Sequence, residues 1–494
     1  MKIKFLSLLE NRIPSGSFAR NVTTLMTGTT FAQILLILVA PILTRLYSPK
    51  DFGVYSLYTS IASILTVIAC LNYDYAIVLP KKDEDGANVL GLSILICLNM
   101  VGVTFILVFL LRSTVARYLN APTLAIFLWF IPLSVLGSGL FKVFNYWSTR
   151  RKQFKRLAVR QINQSIITSV TQVGVGTIFN AGPGGLISGL IIGQFAATGR
   201  LAWQIFKEEG NFLKSCISIK KLKCMAKRYK KFPLYDSWSG LFNTASSMLP
   251  ALLLGYFFTP AVVGFYALGH KVLAMPMNII GSSIAQVFYP RATKAKHDGN
   301  LDKVTLNIFE HLLAIGFIPL MLIALVAPNL FALIFGHHWW IAGQYVRWMS
   351  LWLLCQFISS PISLVYYVME KQKSLLVFNI IMFFIRLLVI IIGGIQGKAM
   401  FSIALLGITG AVLYVLLCMH ITNITGIKAL PVFLIILKQV ALGIPYCIPS
   451  LLILYVSDSS IAAVFVAIFS GIVFLLRIAY RIKKYGKVSL LMEE

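Results

Sequence analysis

From Phe401 to Thr425 the chain reads FSIALLGITGAVLYVLLCMHITNIT without one Asp, Glu, Lys or Arg, and runs of this kind recur from one end to the other. A helix needs about 20 mostly apolar residues to cross the hydrocarbon of a bilayer, where backbone polar groups are satisfied only inside helices or closed barrels. Long uncharged runs exclude the barrel. They predict an all-α polytopic membrane protein with about 14 transmembrane helices, near residues 20–43, 51–79, 88–111, 121–141, 158–180, 185–206, 233–258, 261–289, 304–327, 341–368, 375–395, 399–424, 431–456 and 459–479. Composition agrees: 58% of the 494 residues are hydrophobic and 12% charged, against about a quarter charged in a soluble domain.

Cytoplasmic loops of membrane proteins keep the excess of Lys and Arg. With the N-terminus cytoplasmic, 35 of the 44 basic residues fall in inside segments and five in outside ones: Arg45, Lys50, Arg112, Arg117 and Lys398. Both termini are therefore expected in the cytoplasm. The net charge of +28 is dispersed over these loops rather than gathered in a patch, which argues against nucleic acid. The seven cysteines lack CxxC or paired spacing, so neither a disulfide framework nor a metal site is indicated. No apolar signal segment with a cleavage site precedes residue 20.

The stretch Leu249–Arg291 repeats an earlier one at an offset of 211 residues: Ser48-Pro49 matches Thr259-Pro260, and Gly53, Tyr55 and Leu57 match Gly264, Tyr266 and Leu268. FNYWSTRRKQF (144–154) likewise resembles VYYVMEKQKSL (365–375) at an offset near 220. An offset that spans six helices keeps both copies in one membrane orientation, so the halves are parallel repeats with substrate expected between them. The predicted organisation is a six-helix lobe over 1–206, a basic cytoplasmic linker over 207–231, a second six-helix lobe over 232–427, and a two-helix hairpin with a basic tail over 428–494. The linker reads either as an amphipathic helix on anionic lipid or as a plain orientation-setting segment.

Polar residues inside the spans mark candidate positions. Lys271, Asn278, Ser282 and Gln286 share one face of span eight. Lys271 lies ten residues inside that span, about 15 Å from its start, near the bilayer midplane. A cation there marks a substrate or ion path, or else pairs structurally with Asp236 or Glu310. Asp236, Ser239, Asn243 and Ser247 line span seven, Thr23, Thr27 and Thr30 line span one with Gln33 close by, and Ser56, Ser60 and Ser63 line span two. Such stripes either face a cavity or join helices. Arg386, with Asn379 on its face in span eleven, reads as a second cavity cation, whereas Arg347 and Lys438 read as interfacial anchors. Asp74, near the end of span two, is a gate or a structural pair, Asp236 and Glu310 are further candidates for ion coupling or gating, His270 is the candidate proton carrier, and Pro276 is either a hinge or a static kink beside Lys271. No Walker A loop, HExxH, GxSxG or plausible carboxylate pair is present. No enzyme chemistry and no cofactor are expected, and energy for transport must come from a gradient of an ion or of the substrate itself.

RLYSPKDFGVYSLYTSIASILTVIACLNYDYAIVLPKKDEDGANVL (45–90) and LPALLLGYFFTPAVVGFYALGHKVLAMPMNIIGSSIAQVFYP (249–290) resemble the two signature blocks of the polysaccharide transporter family, the Wzx-type O-antigen and exopolysaccharide flippases of the MATE-like MOP superfamily. The resemblance covers nearly all of residues 15–425. It implies two six-helix lobes around a central cavity, in a bacterial plasma (inner) membrane. The implied activity is transfer of an undecaprenyl-pyrophosphate-linked oligosaccharide between leaflets, alongside polysaccharide assembly proteins such as a polymerase and a chain-length regulator. It also implies that cavity cations meet the pyrophosphate, with Lys271 where span-eight cations occur in related lipid flippases. A family arginine on the first span is not found, and Thr23, Thr27 and Thr30 stand there instead. Two other classes remain: a MATE-type multidrug or cation antiporter, which needs cavity carboxylates, and a membrane glycan polymerase or ligase, which needs a long outer loop.

Overall fold

The computed structural model describes residues 18–179, 181–456 and 460–484. Among them the secondary structure is helical throughout, with no strand. The long helices are α1 Phe18–Leu46, α2 Pro49–Val67, α3 Asp83–Tyr118, α4 Ile131–Arg150, α5 Phe154–Phe179, α6 Pro183–Cys216, α7 Ser237–Phe257, α8 Pro260–His297, α9 Leu301–Phe335, α10 Trp340–Ile362, α11 Gln372–Ile395, α12 Ala399–Thr425, α13 Ala429–Val456 and α14 Ser460–Lys484. Among the described residues, eleven helical segments are long and apolar enough to cross a membrane. The helices outside that group, α2, α5 and α7, have 19, 26 and 21 residues. At 1.5 Å per residue they still reach about the 30 Å of the hydrocarbon layer. Their polar residues lower the hydropathy without shortening the helix.

Helix ends depart from the expected spans because backbone hydrogen bonding does not stop at the edge of the hydrocarbon. α3 has 36 residues and α6 has 34, so α6 takes in the first ten residues of the expected linker. The rest of the linker forms a short helix, Ile219–Arg228, docked rather than free. Tyr73 Oη donates to the Ala226 carbonyl at 3.0 Å, and Lys221 Nζ to Glu84 Oε2 at 3.1 Å. Glu84 holds the Lys221 ammonium above its usual pKa range. Span two ends early. α2 stops at Val67, Leu71 and Asn72 turn through φ 47° and 56°, and a 3-10 turn runs over Tyr73–Val78.

The chain divides into two compact units, residues 1–264 and 265–494. In the first, small residues let helices approach closely, as membrane helices require: Gly28 of α1 faces Ala158 of α5, and Gly189 and Gly193 of α6 face Gln172 and Thr168 of α5. Asp83 ties α3 to α4 through Arg150 at 2.9 Å and Arg151 at 2.6 Å. α7, which the repeat assigns to the second copy, packs on α2 within this unit. In the second unit, Gly343 of α10 sits on Ala327 and Pro328 of α9, and Gly407 of α12 on Trp348 of α10. The last two helices join the same core: Ile318, Leu322 and Val326 of α9 bury against Ala463, Val464 and Phe474 of α14.

The repeat is visible at atomic level. Ser48 caps α2 in a capping box, its Oγ accepting from Asp51 N at 3.3 Å while Asp51 Oδ2 accepts from Ser48 N at 2.9 Å. Pro49 occupies the first helical turn, where a missing N–H costs nothing. α8 opens the same way at Pro260. The turns after α4 and before α11 share one hydrogen-bond pattern. Arg151 N, Lys152 N and Gln153 N donate to Trp147 O, Thr149 O and Ser148 O, and Met369 N, Glu370 N and Lys371 N donate to Val365 O, Tyr367 O and Tyr366 O. Lys152 and Glu370 both adopt positive φ, 55° and 56°.

Within the first unit the two signature turns also touch. A Cβ at Gly53 would overlap the Pro260 carbonyl, and one at Gly264 would overlap the Pro49 carbonyl. The matched residues contact each other reciprocally, which backbone can do only where a side chain is absent. Gly53→Ala or Gly264→Ala is expected to force these turns apart and cost about 1–3 kcal/mol. Thermal unfolding of the detergent-purified protein reads this as a lowered midpoint, and an unchanged midpoint would mean the turns separate freely.

Candidate functional site

α8 carries the polar face expected of span eight. Lys271, Asn278 and Ser282 are exposed along it, seven and four residues apart. Lys271 has no hydrogen-bond or ion-pair partner among the described residues. Ser282 Oγ is turned onto its own helix, donating to Ile279 O at 3.1 Å. α8 continues through Pro276 and Pro290 as one helix. The side chains of Gln286 and Thr23 lie outside the described residues.

His270, next along the chain, points into the second unit. Its ring stacks on Tyr266 at 5.7 Å and lies 5.8 Å from Trp352 of α10. The Arg386 guanidinium of α11 sits 5.2 Å from the centre of the same indole. Trp352 therefore holds the imidazole and the guanidinium, a cation–π arrangement that desolvation strengthens. Two buried polar atoms in this nest, Arg386 Nε and Trp352 Nε1, lack hydrogen-bond partners, as does Gln356 Oε1 four residues after Trp352 on α10. Arg386 is half-buried, and Asn379 is exposed two turns earlier on α11.

The carboxylates are dispersed. Glu310 does not pair with Lys271; its Oε1 accepts from Lys438 Nζ at 3.0 Å, so Lys438 is an ion-pair partner between α9 and α13. Arg347 is likewise engaged by another helix. Its Nε and Nη2 donate to the Ala324 and Leu325 carbonyls at 3.3 and 3.1 Å. Pro328 has no N–H for the Ala324 carbonyl four residues before it, and Arg347 supplies one. Asp236, at the end of the π-helical turn Phe232–Asp236, is exposed with no ion pair among the described residues.

Asp74 lies in the 3-10 turn of the first unit, 1% exposed. Neither carboxylate oxygen has a hydrogen-bond partner, and the charge of Lys142 acts on it. Lys142 Nζ itself donates to Thr66 O at 2.8 Å. In α1, Gln33 Oε1 is buried without a partner, while Thr27 and Thr30 are half-buried. Asn243 of α7 is exposed, and its carbonyl accepts from Ser247 Oγ at 3.0 Å. Among the described residues no cluster of His, Cys, Asp and Glu forms a metal site.

Reading by spans missed two groups. Trp352 was one more aromatic in an apolar run, with no local mark of the imidazole and the guanidinium it serves. Arg156, Arg160 and Arg200 were counted with cytoplasmic loops, yet they belong to α5 and α6. Their spacing, Arg156 and Arg160 four apart with Asn163 following, was the signal available for a polar helix face.

Residues 42–342, more than half of the chain, match the family described as polysaccharide biosynthesis protein. No curated protein matches the sequence. Among solved structures, the lipid II flippase MurJ in an inward closed conformation superposes with a TM-score of 0.67 at 13% identity, over 92% of this chain and 98% of that one. An inward-facing multidrug resistance MATE family transporter of the MOP superfamily gives 0.56 at 14% identity, over 82% and 99%. A MOP superfamily transporter from Pyrococcus furiosus, described as having a binding pocket of reversed polarity, gives 0.52 at 14% identity, over 82% and 96%. The fold is thus MOP-like, and these neighbours are a flippase and transporters.

Proposed function

Because the chain belongs to the polysaccharide biosynthesis protein family, we propose that it is a flippase for a polyprenyl-pyrophosphate-linked oligosaccharide, the repeat unit of O-antigen or another surface polysaccharide. It moves the lipid from the cytoplasmic to the outer leaflet of the bacterial inner membrane by alternating access, with both termini in the cytoplasm. The observation that carries the reading is Lys271, an exposed and unpartnered cation on the polar face of a helix otherwise built for hydrocarbon.

A diphosphate cannot cross hydrocarbon alone. A lysine ammonium offers it three donors, and charge-assisted bonds of this type are about twice as strong as neutral ones. Asn278, Ser282 and Asn379 supply groups for sugar hydroxyls, while the polyprenyl chain stays in the bilayer. Arg386, with a free Nε, is a second donor to the anion. Asp74, a buried carboxyl without partners, is the candidate for coupling to an ion gradient, because a carboxyl so placed is stabilised by taking up a proton. A cation exporter of the MATE type would want a carboxylate where Lys271 stands. Polymerase and chain-length regulator partners follow from the pathway such a substrate implies.

The test is complementation of a flippase-deficient bacterial strain, with surface glycan read on a gel. The wild-type chain is expected to restore the glycan ladder, and Asp74→Asn to reduce it at matched membrane levels. Lipid-linked oligosaccharide that stays on the cytoplasmic side in the presence of well-expressed wild type, across strains with different glycans, would overturn the reading.

A further inference from the structure

The first unit contains a second cationic site that the flippase reading does not use. A cavity of about 390 Å3 opens between the first turns of α5 and the middle of α6, and its lining includes Lys155, Arg156, Arg160, Asn163, Arg200 and Gln204. Four of these are cations, and no carboxylate lines the cavity. Arg160 is only 5% exposed. Its guanidinium lies 3.4 Å from the centre of the Phe141 ring, and its Nη2 donates to Thr198 Oγ1 at 3.4 Å. Its Nε, buried, has no partner.

Neighbouring carboxylates are committed elsewhere. Glu208 pairs with one nitrogen of Arg156, whose Nη1 remains buried and unpartnered. Glu209 accepts from Arg151 at 3.0 Å. Lys155 and Arg200 are exposed and have no partner among the described residues. Three cations thus face one cavity with no counter-charge, one of them desolvated. Such an arrangement is costly unless an anion completes it.

The surroundings say which anion. Val159 and Leu201 line the cavity, Val159 being exposed, and Trp203, one turn after Arg200 on α6, is exposed. Lys207 Nζ lies 4.9 Å from the centre of the Trp203 ring. An exposed aromatic next to a cation, where the apolar part of a membrane helix gives way to basic residues, marks the depth of lipid headgroups. A free anion would need no apolar rim. Arginine forks match phosphate oxygens in pairs, and an orphaned Nε beside unpaired ammonium and guanidinium groups offers at least three donors.

We propose that the α5–α6 cavity binds the anionic phosphate of a lipid headgroup. Either a phospholipid of the bilayer or a polyprenyl diphosphate carries that chemistry, and the inference stands whether or not the protein is a flippase. The experiment is native mass spectrometry of delipidated full-length protein titrated with phosphatidylglycerol, phosphatidylcholine or undecaprenyl diphosphate, comparing wild type with Lys155→Gln/Arg200→Gln. Both substituted side chains are exposed, so the fold is expected to survive, and an unchanged thermal midpoint checks this. Arg160→Lys, which keeps the charge but loses the fork, serves as the second variant.

Wild type is expected to favour an anionic lipid over phosphatidylcholine, with at least tenfold weaker binding in the double variant. Weakening confined to phosphatidylglycerol supports the site with the bilayer as source. Weakening confined to undecaprenyl diphosphate supports it with the transported class of lipid as source. Equal affinities in wild type and both variants, or no preference of wild type for either anionic lipid, would overturn the proposal.

Discussion

Lys271→Ala is expected to abolish surface glycan in the complemented strain, and Lys271→Arg to preserve most of it. The side chain is exposed and unpartnered, so its removal should change stability by no more than about 0.5 kcal/mol, as for surface positions generally. Loss of transport at matched membrane levels then reports on function. A hydrogen bond to a charged group is worth about 1.5–3 kcal/mol, which predicts transport slowed by roughly 10-fold to more than 100-fold. Lys271→Met separates charge from bulk: it keeps a long apolar stem and should fail as alanine does. Should alanine support wild-type glycan levels, Lys271 does not meet the diphosphate, and the proposed chemistry loses its centre.

Trp352→Ala is expected to be the most destabilising single change in the second unit, by about 3–5 kcal/mol. The indole is 3% exposed, lies against both His270 and Arg386, and fits over Gly410 of α12, where a Cβ would stand 2.8 Å from Trp352 Cγ. Removing it leaves a cavity and takes the aromatic face away from a half-buried guanidinium. Trp352→Phe retains a face for both neighbours and should cost far less. Thermal unfolding and limited proteolysis of the purified variants check this. If the alanine variant unfolds at the wild-type temperature, the nest around Arg386 is held by other contacts.

The two predictions differ in how far the sequence foresaw them. Lys271 stood out because one cation in a long apolar run is visible in any local window, and the structure shows it exposed on a polar face with Asn278 and Ser282. Trp352 had no such mark, since its role depends on α8, α10 and α11 meeting around one ring. Glu310 illustrates the same limit. As a carboxylate in a span it was a candidate partner for Lys271, but its partner is Lys438, 128 residues along the chain. Arg347 looked like an anchor because distance from a span end is a local property, whereas the carbonyl that Pro328 leaves free belongs to another helix.

By itself the sequence determined that the chain crosses a membrane many times as helices, and that it is a duplication. Hydropathy and the positions of Pro and Gly are carried by residues a few places apart, and the bilayer acts on each helix separately. Even the left-handed turns at Lys152 and Glu370 follow from that duplicated text. Only the tertiary structure decided which polar groups meet: the reciprocal contact of Gly53 and Gly264 with the opposite proline, the orphaned Asp74, and the basic cavity between α5 and α6. These depend on which helix faces come together after insertion. In hydrocarbon that is settled by close packing and polar pairing between distant segments, and a local window contains neither.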